Sequence, residues 1–151
     1  MTRIRFNHME LTVPPGSFDS GLRDDLKSFF GGVLGWEAID IEIVGGKQLL
    51  MRPDDGQFIL VAEHERSMSA LGYDHLGFLC ESREEVDQIL AACQRFQTGD
   101  DRLKLKAYDD LITGNVTVHA FYFKYLLPIW FDVQSIDHQP GTGPQQRWTY
   151  V

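Results

Sequence analysis

Apolar and polar residues alternate along the first segment of the chain, as they do in a half-buried β-strand. One face of this strand carries apolar side chains and the other polar ones: Met9, Leu11 and Val13 against His8, Glu10 and Thr12. After the segment PPGSFDS, an apolar stripe with helical spacing predicts a helix that ends near the glycines at 31–35: Leu22, Leu26, Phe29, Phe30 and Val33. We expect this helix to cover the apolar face of the strand.

Three further strands are predicted after the helix, at about residues 36–44, 47–52 and 57–63. GG and PDDG turns separate them. The first part of the chain, about residues 4–66, therefore has the order βαβββ and forms a first module.

The second part of the chain repeats this order. A strand at about 73–80 is followed by a helix that a Ser82 to Glu85 capping box opens, with an apolar stripe at Val86, Ile89, Leu90 and Cys93. Strands at about 103–108, 116–124 and 129–135 complete a second module over about 70–136. Residues 137–151, with the segment QPGTGPQQ, predict a loose C-terminal tail.

The repetition predicts the fold class. His8 and His75 lie at equivalent positions of the two modules, 67 residues apart, a spacing that suits a duplicated half-domain better than a solenoid repeat. With 151 residues and 43% apolar content, the chain can fill one core. We expect a single α+β domain over residues 1–136, in which two βαβββ modules form a cupped mixed sheet with both helices outside it.

The charge of the chain excludes some partners. Fourteen basic and twenty-two acidic residues give a net charge of −8, without a basic cluster, which argues against nucleic acid or an anionic membrane as a partner. The N-terminal segment has no apolar signal core, so we expect a cytoplasmic protein. Cys80 and Cys93 lack the spacing of a metal site and are expected to be reduced thiols.

The strands FNHMELTV and YDHLGF, together with the paired module order, give the chain a resemblance to a known family. Over roughly residues 4–136 it resembles the vicinal oxygen chelate superfamily, which includes glyoxalase I, bleomycin-resistance and fosfomycin-resistance proteins, and extradiol dioxygenases. The resemblance implies a divalent metal bound by a histidine on the first strand of each module and by an acidic residue on a last strand. His8 and His75 match the histidines, and Asp132, in the segment YLLPIWFDV, stands at the position of the glutamate.

The resemblance also implies how many positions around the metal stay open. Leu60, four residues after Gly56 of the PDDG turn, stands where glyoxalase-type members have a fourth ligand, and leucine cannot bind a metal. Two histidines and one carboxylate favour Fe(II), with manganese, zinc or nickel as alternatives. A small oxygen-bearing molecule could then chelate the open positions.

Further residues are assigned to the cavity and to catalysis. Trp130 and Gln134 alternate with Asp132 onto one face and should line the cavity with Glu10 and Leu60. Tyr122 matches a tyrosine of the extradiol signature and is a candidate general acid or base. The acid–base histidine of that signature should fall near residues 113–115, and His119 lies about six positions away from it.

Two functions remain open at this point. One is a metal-dependent enzyme, dioxygenase-like or lyase/isomerase-like, which acts on a small chelating substrate. The other is a metal-free protein that binds a small molecule, as bleomycin-resistance proteins do. In either case we expect a homodimer, because half-barrel modules of this size expose sheet edges that pairing would cover.

Overall fold

The computed structural model describes residues 4–144. A short helix α1 and a π-helical turn follow the first strand, and a longer helix α2 follows the fifth: Ser20–Leu26, Lys27–Gly31 and Arg83–Gln97. The strands of the first sheet are β1 His8–Val13, β2 Glu37–Ile43, β3 Gly46–Asp54 and β4 Gln57–Glu63. Those of the second sheet are β5 His75–Leu79, β6 Lys104–Ala107, β7 Leu111–Thr113, β8 Val116–Lys124 and β9 Trp130–His138.

The two sheets repeat the same strand topology. The first has the order β1-β4-β3-β2 and the second β5-β9-β8-β6, with β7 paired to β8. In each sheet the first strand runs parallel to the last, and the other neighbours are antiparallel. The predicted α+β fold with two mixed sheets and two helices is therefore confirmed. Within residues 4–144, no helix is long and apolar enough to cross a membrane.

The sequence pattern missed β7, a strand of three residues that are all exposed and so show no alternation. The last strand also continues further than its pattern predicted, because β9 extends to His138. Residues 145–151 of the predicted tail lie outside the described residues.

Both helices begin with a side-chain cap. In α2, the Ser82 side chain accepts a hydrogen bond from the Glu85 backbone, and the Glu85 carboxylate reaches back to the backbone of Ser82, as the capping box predicted. At α1, the Asp19 carboxylate accepts a hydrogen bond from the backbone N–H of Leu22. Each cap satisfies backbone donors that the first turn of a helix leaves without partners.

The core joins the two halves of the chain. Phe29 and Phe30 of the π-helical turn are fully buried. They pack against rings of the second half: Phe96 of α2, Phe123 of β8, Phe131 of β9, and Tyr125, which follows β8. The apolar faces of β1, β3 and β4 belong to the same buried cluster. The helix of the first half therefore packs against the sheet of the second half.

The segment YLLP before β9 is held by a buried tyrosine. Tyr125 is 1% exposed, and its hydroxyl donates to the Asp100 carboxylate at 2.7 Å. Arg102 binds the same carboxylate and also Asp25 of α1, at 2.6 and 2.7 Å. Burial, together with the hydrogen bond to Asp100, raises the pKa of Tyr125, and the Arg102 guanidinium lowers the pKa of Asp100. This network fixes the turn that leads into the candidate ligand strand.

In the described part of the chain, β1 is an edge strand of the first sheet and β5 an edge strand of the second. β1 pairs with β4 alone and β5 with β9 alone, so the outer backbone groups of both strands have no ladder partner. His8 and His75 are the first residues of these two strands. The two candidate histidines therefore lie at sheet edges that another strand could cover.

Candidate functional site

His75 and Asp132 come together on one face of the second sheet. In the parallel pairing of β5 and β9, Gly77 lies opposite Asp132, and His75 precedes it by two positions on the same face. His75 Nε2 lies 3.8 Å from Asp132 Oδ2. Asp132 is only 6% exposed, and its Oδ1 has no hydrogen-bond partner within residues 4–144. Burial raises the pKa of this carboxyl, and His75 opposes that effect.

The ring of His75 is oriented by its other nitrogen. His75 Nδ1 lies 2.9 Å from the backbone carbonyl oxygen of Tyr73. A carbonyl can only accept, so Nδ1 carries a proton; in the neutral ring the lone pair is then on Nε2, which faces Asp132. Metal-binding histidines typically donate their second nitrogen to a backbone carbonyl in this way.

Three more of the predicted residues share this face. Tyr122 lies opposite Asp132 in the pairing of β8 with β9, and its ring centroid is 5.0 Å from that of His75. Burial raises the pKa of Tyr122, and the nearby Asp132 carboxylate adds to the effect. Trp130 and Gln134 lie two residues before and after Asp132 and therefore point to the same side.

A lysine and two tyrosines extend the face beyond the residues that the sequence predicted. The Lys106 ammonium lies 4.0 Å from the ring centroid of Tyr73 and 4.9 Å from that of Tyr108, and it donates to the Tyr73 hydroxyl at 2.9 Å. The hydrogen bond to Tyr73, together with the interaction with Tyr108, raises the pKa of Lys106. The Tyr73 ring also packs on Trp130 at 5.3 Å, and the Tyr108 ring on Tyr122 at 5.1 Å.

A signal for these residues was present in the sequence. Tyr73 stands two positions before His75, and Lys106 and Tyr108 alternate along the strand and loop that include β6. In the structure Lys106 pairs with Tyr122 across β6 and β8. Lys106 lies beside Tyr122 because of the register between these two strands, and this register could not be predicted from the sequence.

His8, Glu10 and Leu60 share a face of the first sheet. His8 lies opposite Phe58 and Glu10 opposite Leu60 in the pairing of β1 with β4. The imidazole stacks on the Phe58 ring at 4.7 Å, and its Nδ1 lies 2.8 Å from Asn7 Oδ1. The Asn7 amide nitrogen donates to the carbonyl of Gly56, so Oδ1 is the free acceptor for His8. In the neutral ring, the lone pair of His8 is therefore also on Nε2.

The three predicted metal ligands do not meet within one chain. In the part of the chain that the structure describes, no three His, Cys, Asp or Glu side chains form a group that could bind a metal ion. His75 and Asp132 are together on the second sheet, whereas His8 lies apart from them on the first.

His119 lies on the opposite face of β8 from Tyr122. Residues that are an odd number of positions apart on a strand point to opposite faces, and His119 precedes Tyr122 by an odd number. The His119 ring contacts Asp87 of α2 at 2.8 Å. It therefore faces the helix rather than His75. His119 is therefore not a counterpart of the acid–base histidine of the extradiol signature on the face with Tyr122.

One groove of the described chain lies away from His75 and Asp132. It has a volume of about 580 Å³ and is lined mostly by apolar side chains of both halves, including Trp36, Phe58 and Phe78. None of His75, Tyr122 and Asp132 lines it. The face that contains the candidate ligands is therefore separate from this groove, and on it the His75 side chain is 40% exposed.

The donor set fits a divalent metal. Imidazole nitrogens and a carboxylate suit iron, manganese, zinc and nickel. The unpartnered Oδ1 of Asp132 is the observation that supports this fit, since a buried carboxylate oxygen without a donor is costly unless a cation compensates it. The second sheet supplies two of these donors, the His75 imidazole and the Asp132 carboxylate.

Comparisons of sequence give no relatives for the chain. No model of a known protein family matches it, and no curated protein matches its sequence.

Comparisons of structure do give relatives. A protein described as a glyoxalase family member from Bacillus anthracis is 15% identical, with a TM-score of 0.59, over 91% of this chain and 99% of that one. The fosfomycin resistance protein FosX from Listeria monocytogenes is 17% identical, with a TM-score of 0.62, over 87% and 91%. An integron cassette protein from V. cholerae is 15% identical, with a TM-score of 0.56, over 89% and 97%. The predicted resemblance to the vicinal oxygen chelate superfamily is thus confirmed for the fold.

Proposed function

We propose that this chain, which has the fold of the vicinal oxygen chelate superfamily, is a metal-dependent enzyme. Its substrate is a small oxygen-chelating molecule that bears a negatively charged group. The ligands are His75 and Asp132 of one copy and His8 of a second copy, with Fe(II) favoured and manganese, zinc or nickel as alternatives. In the proposed dimer, the first module of one copy, about residues 4–66, pairs with the second module of the other copy, about residues 70–136.

The observation that carries this proposal is the pair formed by His75 and Asp132. A buried carboxylate with one unpartnered oxygen lies beside an imidazole whose Nε2 faces it and whose Nδ1 is held by a backbone carbonyl. A structural ion pair would use both carboxylate oxygens or a shorter contact, because burying a charge without full hydrogen bonding is unfavourable. A bound divalent cation would satisfy both groups.

A second copy is proposed as the source of the third ligand. The free edges of β1 and β5 begin at the two histidines, and the His75 side chain is 40% exposed. His8 has its Nδ1 fixed by Asn7, so Nε2 is available to a neighbouring molecule. A symmetric dimer would place His8 of each copy against His75 and Asp132 of the other, and would form two equivalent sites.

The residues around this site suggest the chemistry. A bound divalent ion would act as a Lewis acid that polarises a chelated oxygen atom of the substrate. Tyr122, whose raised pKa keeps its hydroxyl protonated at neutral pH, can donate a proton or a hydrogen bond to that substrate. Lys106, a cation in a chain of net charge −8, can bind an anionic group. The rings of Tyr73 and Trp130 can form an apolar wall.

The same face makes a lyase or isomerase more plausible than a ring-cleaving dioxygenase. The extradiol signature pairs its tyrosine with an acid–base histidine, and His119 faces away from Tyr122 toward α2. The ring centroid of Tyr122, the predicted acid–base residue, lies 5.0 Å from that of His75. We therefore favour a reaction that needs one acid from the protein.

A metal-free binding protein is the alternative, and the ring cluster on this face favours it. Tyr73, Tyr108, Tyr122 and Trp130 could hold a flat ligand without a metal. Leu60 at the position of the fourth ligand also fits this alternative.

Metal titration of the purified protein tests the proposal. We expect Fe(II), Mn(II), Zn(II) or Ni(II) to bind with a stoichiometry near one ion per chain, and sedimentation to show a dimer of the 17.3 kDa chain. Absence of binding for all four ions, in a protein that is dimeric, would leave the metal-free alternative. A monomer at micromolar concentration that still binds metal would contradict a site shared between copies.

A further inference from the structure

A cluster of charged side chains lies on the helix side of β8, away from the candidate metal site. The side chain of His119 is 16% exposed and lies between two carboxylates, with Nε2 2.8 Å from Asp87 and Nδ1 2.9 Å from Asp110. The Arg83 guanidinium lies 2.7 Å from the same Nδ1 and also pairs with Asp110. The function proposed above does not use any of these four residues.

The charge of His119 decides which partner Nδ1 takes. A charged imidazolium donates from both nitrogens and so binds Asp87 and Asp110 at once. A neutral ring that keeps its proton on Nε2 can still donate to Asp87, but its Nδ1 then accepts from Arg83 instead. The groups that face the ring are Arg83 and Asp87 from α2, Asp110 from the segment before β7, and the uncharged Ser135 opposite it on β9.

Asp110 connects this cluster to the candidate site. It follows Tyr108 by two residues in segment 108–110, which lies between β6 and β7 without helix or strand structure. The Tyr108 ring packs on Tyr122 and faces the Lys106 ammonium. A contact that holds Asp110 therefore also restrains the tyrosine and the cation at the site.

We propose that His119 is a positioning residue, which in its charged form fastens segment 108–110 to α2 and holds Tyr108 beside Lys106 and Tyr122. The inference depends on the proposed function only for its consequence, tighter binding of an anion at Lys106. The fastening itself needs neither metal nor substrate.

The direction of the pH dependence follows from the environment of His119. Burial lowers its pKa, but the hydrogen bonds to Asp87 and Asp110 outweigh burial and the pKa is raised. A histidine whose pKa is raised by folding stabilises the folded state fully below the unfolded value of about 6.5, and this stabilisation is lost as pH rises through the folded pKa. Segment 108–110 is therefore held to α2 by both His119 and Arg83 at low pH, and by Arg83 alone at high pH.

Amide hydrogen exchange of residues 109–113, corrected for the intrinsic pH dependence, tests the fastening. In the wild type we expect protection to fall about fivefold between about pH 6 and about pH 9, at the lower end of known coupling energies. His119→Gln should remove this pH dependence, and Asp110→Asn should flatten it even if the first variant folds poorly. The exposed His138 serves as a matched control, and His138→Gln should behave as the wild type.

Sulfate binding tests the consequence for the site, because sulfate does not change its charge over this pH range and can report on Lys106. We expect its affinity to fall about fivefold in parallel with protection in the wild type and to stay constant in His119→Gln. Metal affinity should be unchanged in this variant, since His119 faces away from His75. Protection that is independent of pH in the wild type, the same pH dependence in His119→Gln, or sulfate affinity that does not follow protection would each overturn the inference. A wild type without bound metal would affect only the proposed function.

Discussion

Replacing His75 by alanine is expected to abolish metal binding at the candidate site. Two ligands on the second sheet and one from a second copy leave none to spare. Changes to residues that only orient a ligand typically cost about 10- to 100-fold in metal affinity, so loss of a ligand should cost more than about 100-fold. Isothermal titration of the variant with Mn(II) and Zn(II) measures this loss.

The control for this experiment is His138→Ala, which removes an exposed histidine outside the candidate site. Its affinity should equal that of the wild type. Asp132→Ala should behave as His75→Ala does, whereas Asp132→Glu should keep the metal, because it restores the carboxylate that the resembling families have. Unchanged affinity in both alanine variants would remove His75 and Asp132 from the site.

Replacing Phe29 by alanine is expected to destabilise both halves of the chain together. Phe29 is fully buried, and its ring lies within 5.3 Å of those of Phe96, Phe123 and Tyr125. Truncation of a buried phenylalanine typically lowers the free energy of unfolding by about 3–5 kcal/mol. Urea denaturation should show this loss as one transition, with coincident circular dichroism and tryptophan fluorescence.

Phe6→Ala provides a matched control, because Phe6 is 56% exposed. The loss there should stay below about 1 kcal/mol. Two separate transitions in Phe29→Ala, with only one of them shifted, would contradict a core shared between the two sheets.

Local pattern was sufficient to predict most of the fold. Alternation identified β1, turn residues separated β2, β3 and β4, and the Ser82 to Glu85 capping box identified the start of α2. Such signals depend on neighbours that are close along the chain. β7 gave no signal because its three residues are all exposed.

The composition of the candidate site was predictable only in part. Period-two alternation correctly placed Trp130, Asp132 and Gln134 on one face, because strand geometry determines it. Lys106 and Tyr108 were missed, since their approach to Tyr122 depends on the register between β6 and β8. Register is determined by contacts between distant residues, which one sequence does not reveal.

The separation of His8 from His75 also has a long-range cause. Equivalent positions in two modules suggested a common metal, but Phe29 and Phe30 pack the first helix against the second sheet. The chain places its apolar faces together in this arrangement and leaves the face beside His75 open. Whether ligands meet within a chain or between copies depends on this packing and not on the spacing of the histidines.

The central claim is that His8 of one copy completes the site formed by His75 and Asp132 of another. Co-expression of His8→Ala and His75→Ala chains tests it most directly, because each variant alone should bind no metal at either site of its dimer. In a mixed dimer, one site has lost both histidines and the other has all of its ligands. We expect the mixture to regain about a quarter of the wild-type metal content, since about half of the dimers are mixed and each has one intact site. A mixture that binds no more metal than the separate variants, or a His8→Ala protein that keeps the full content, would contradict the claim.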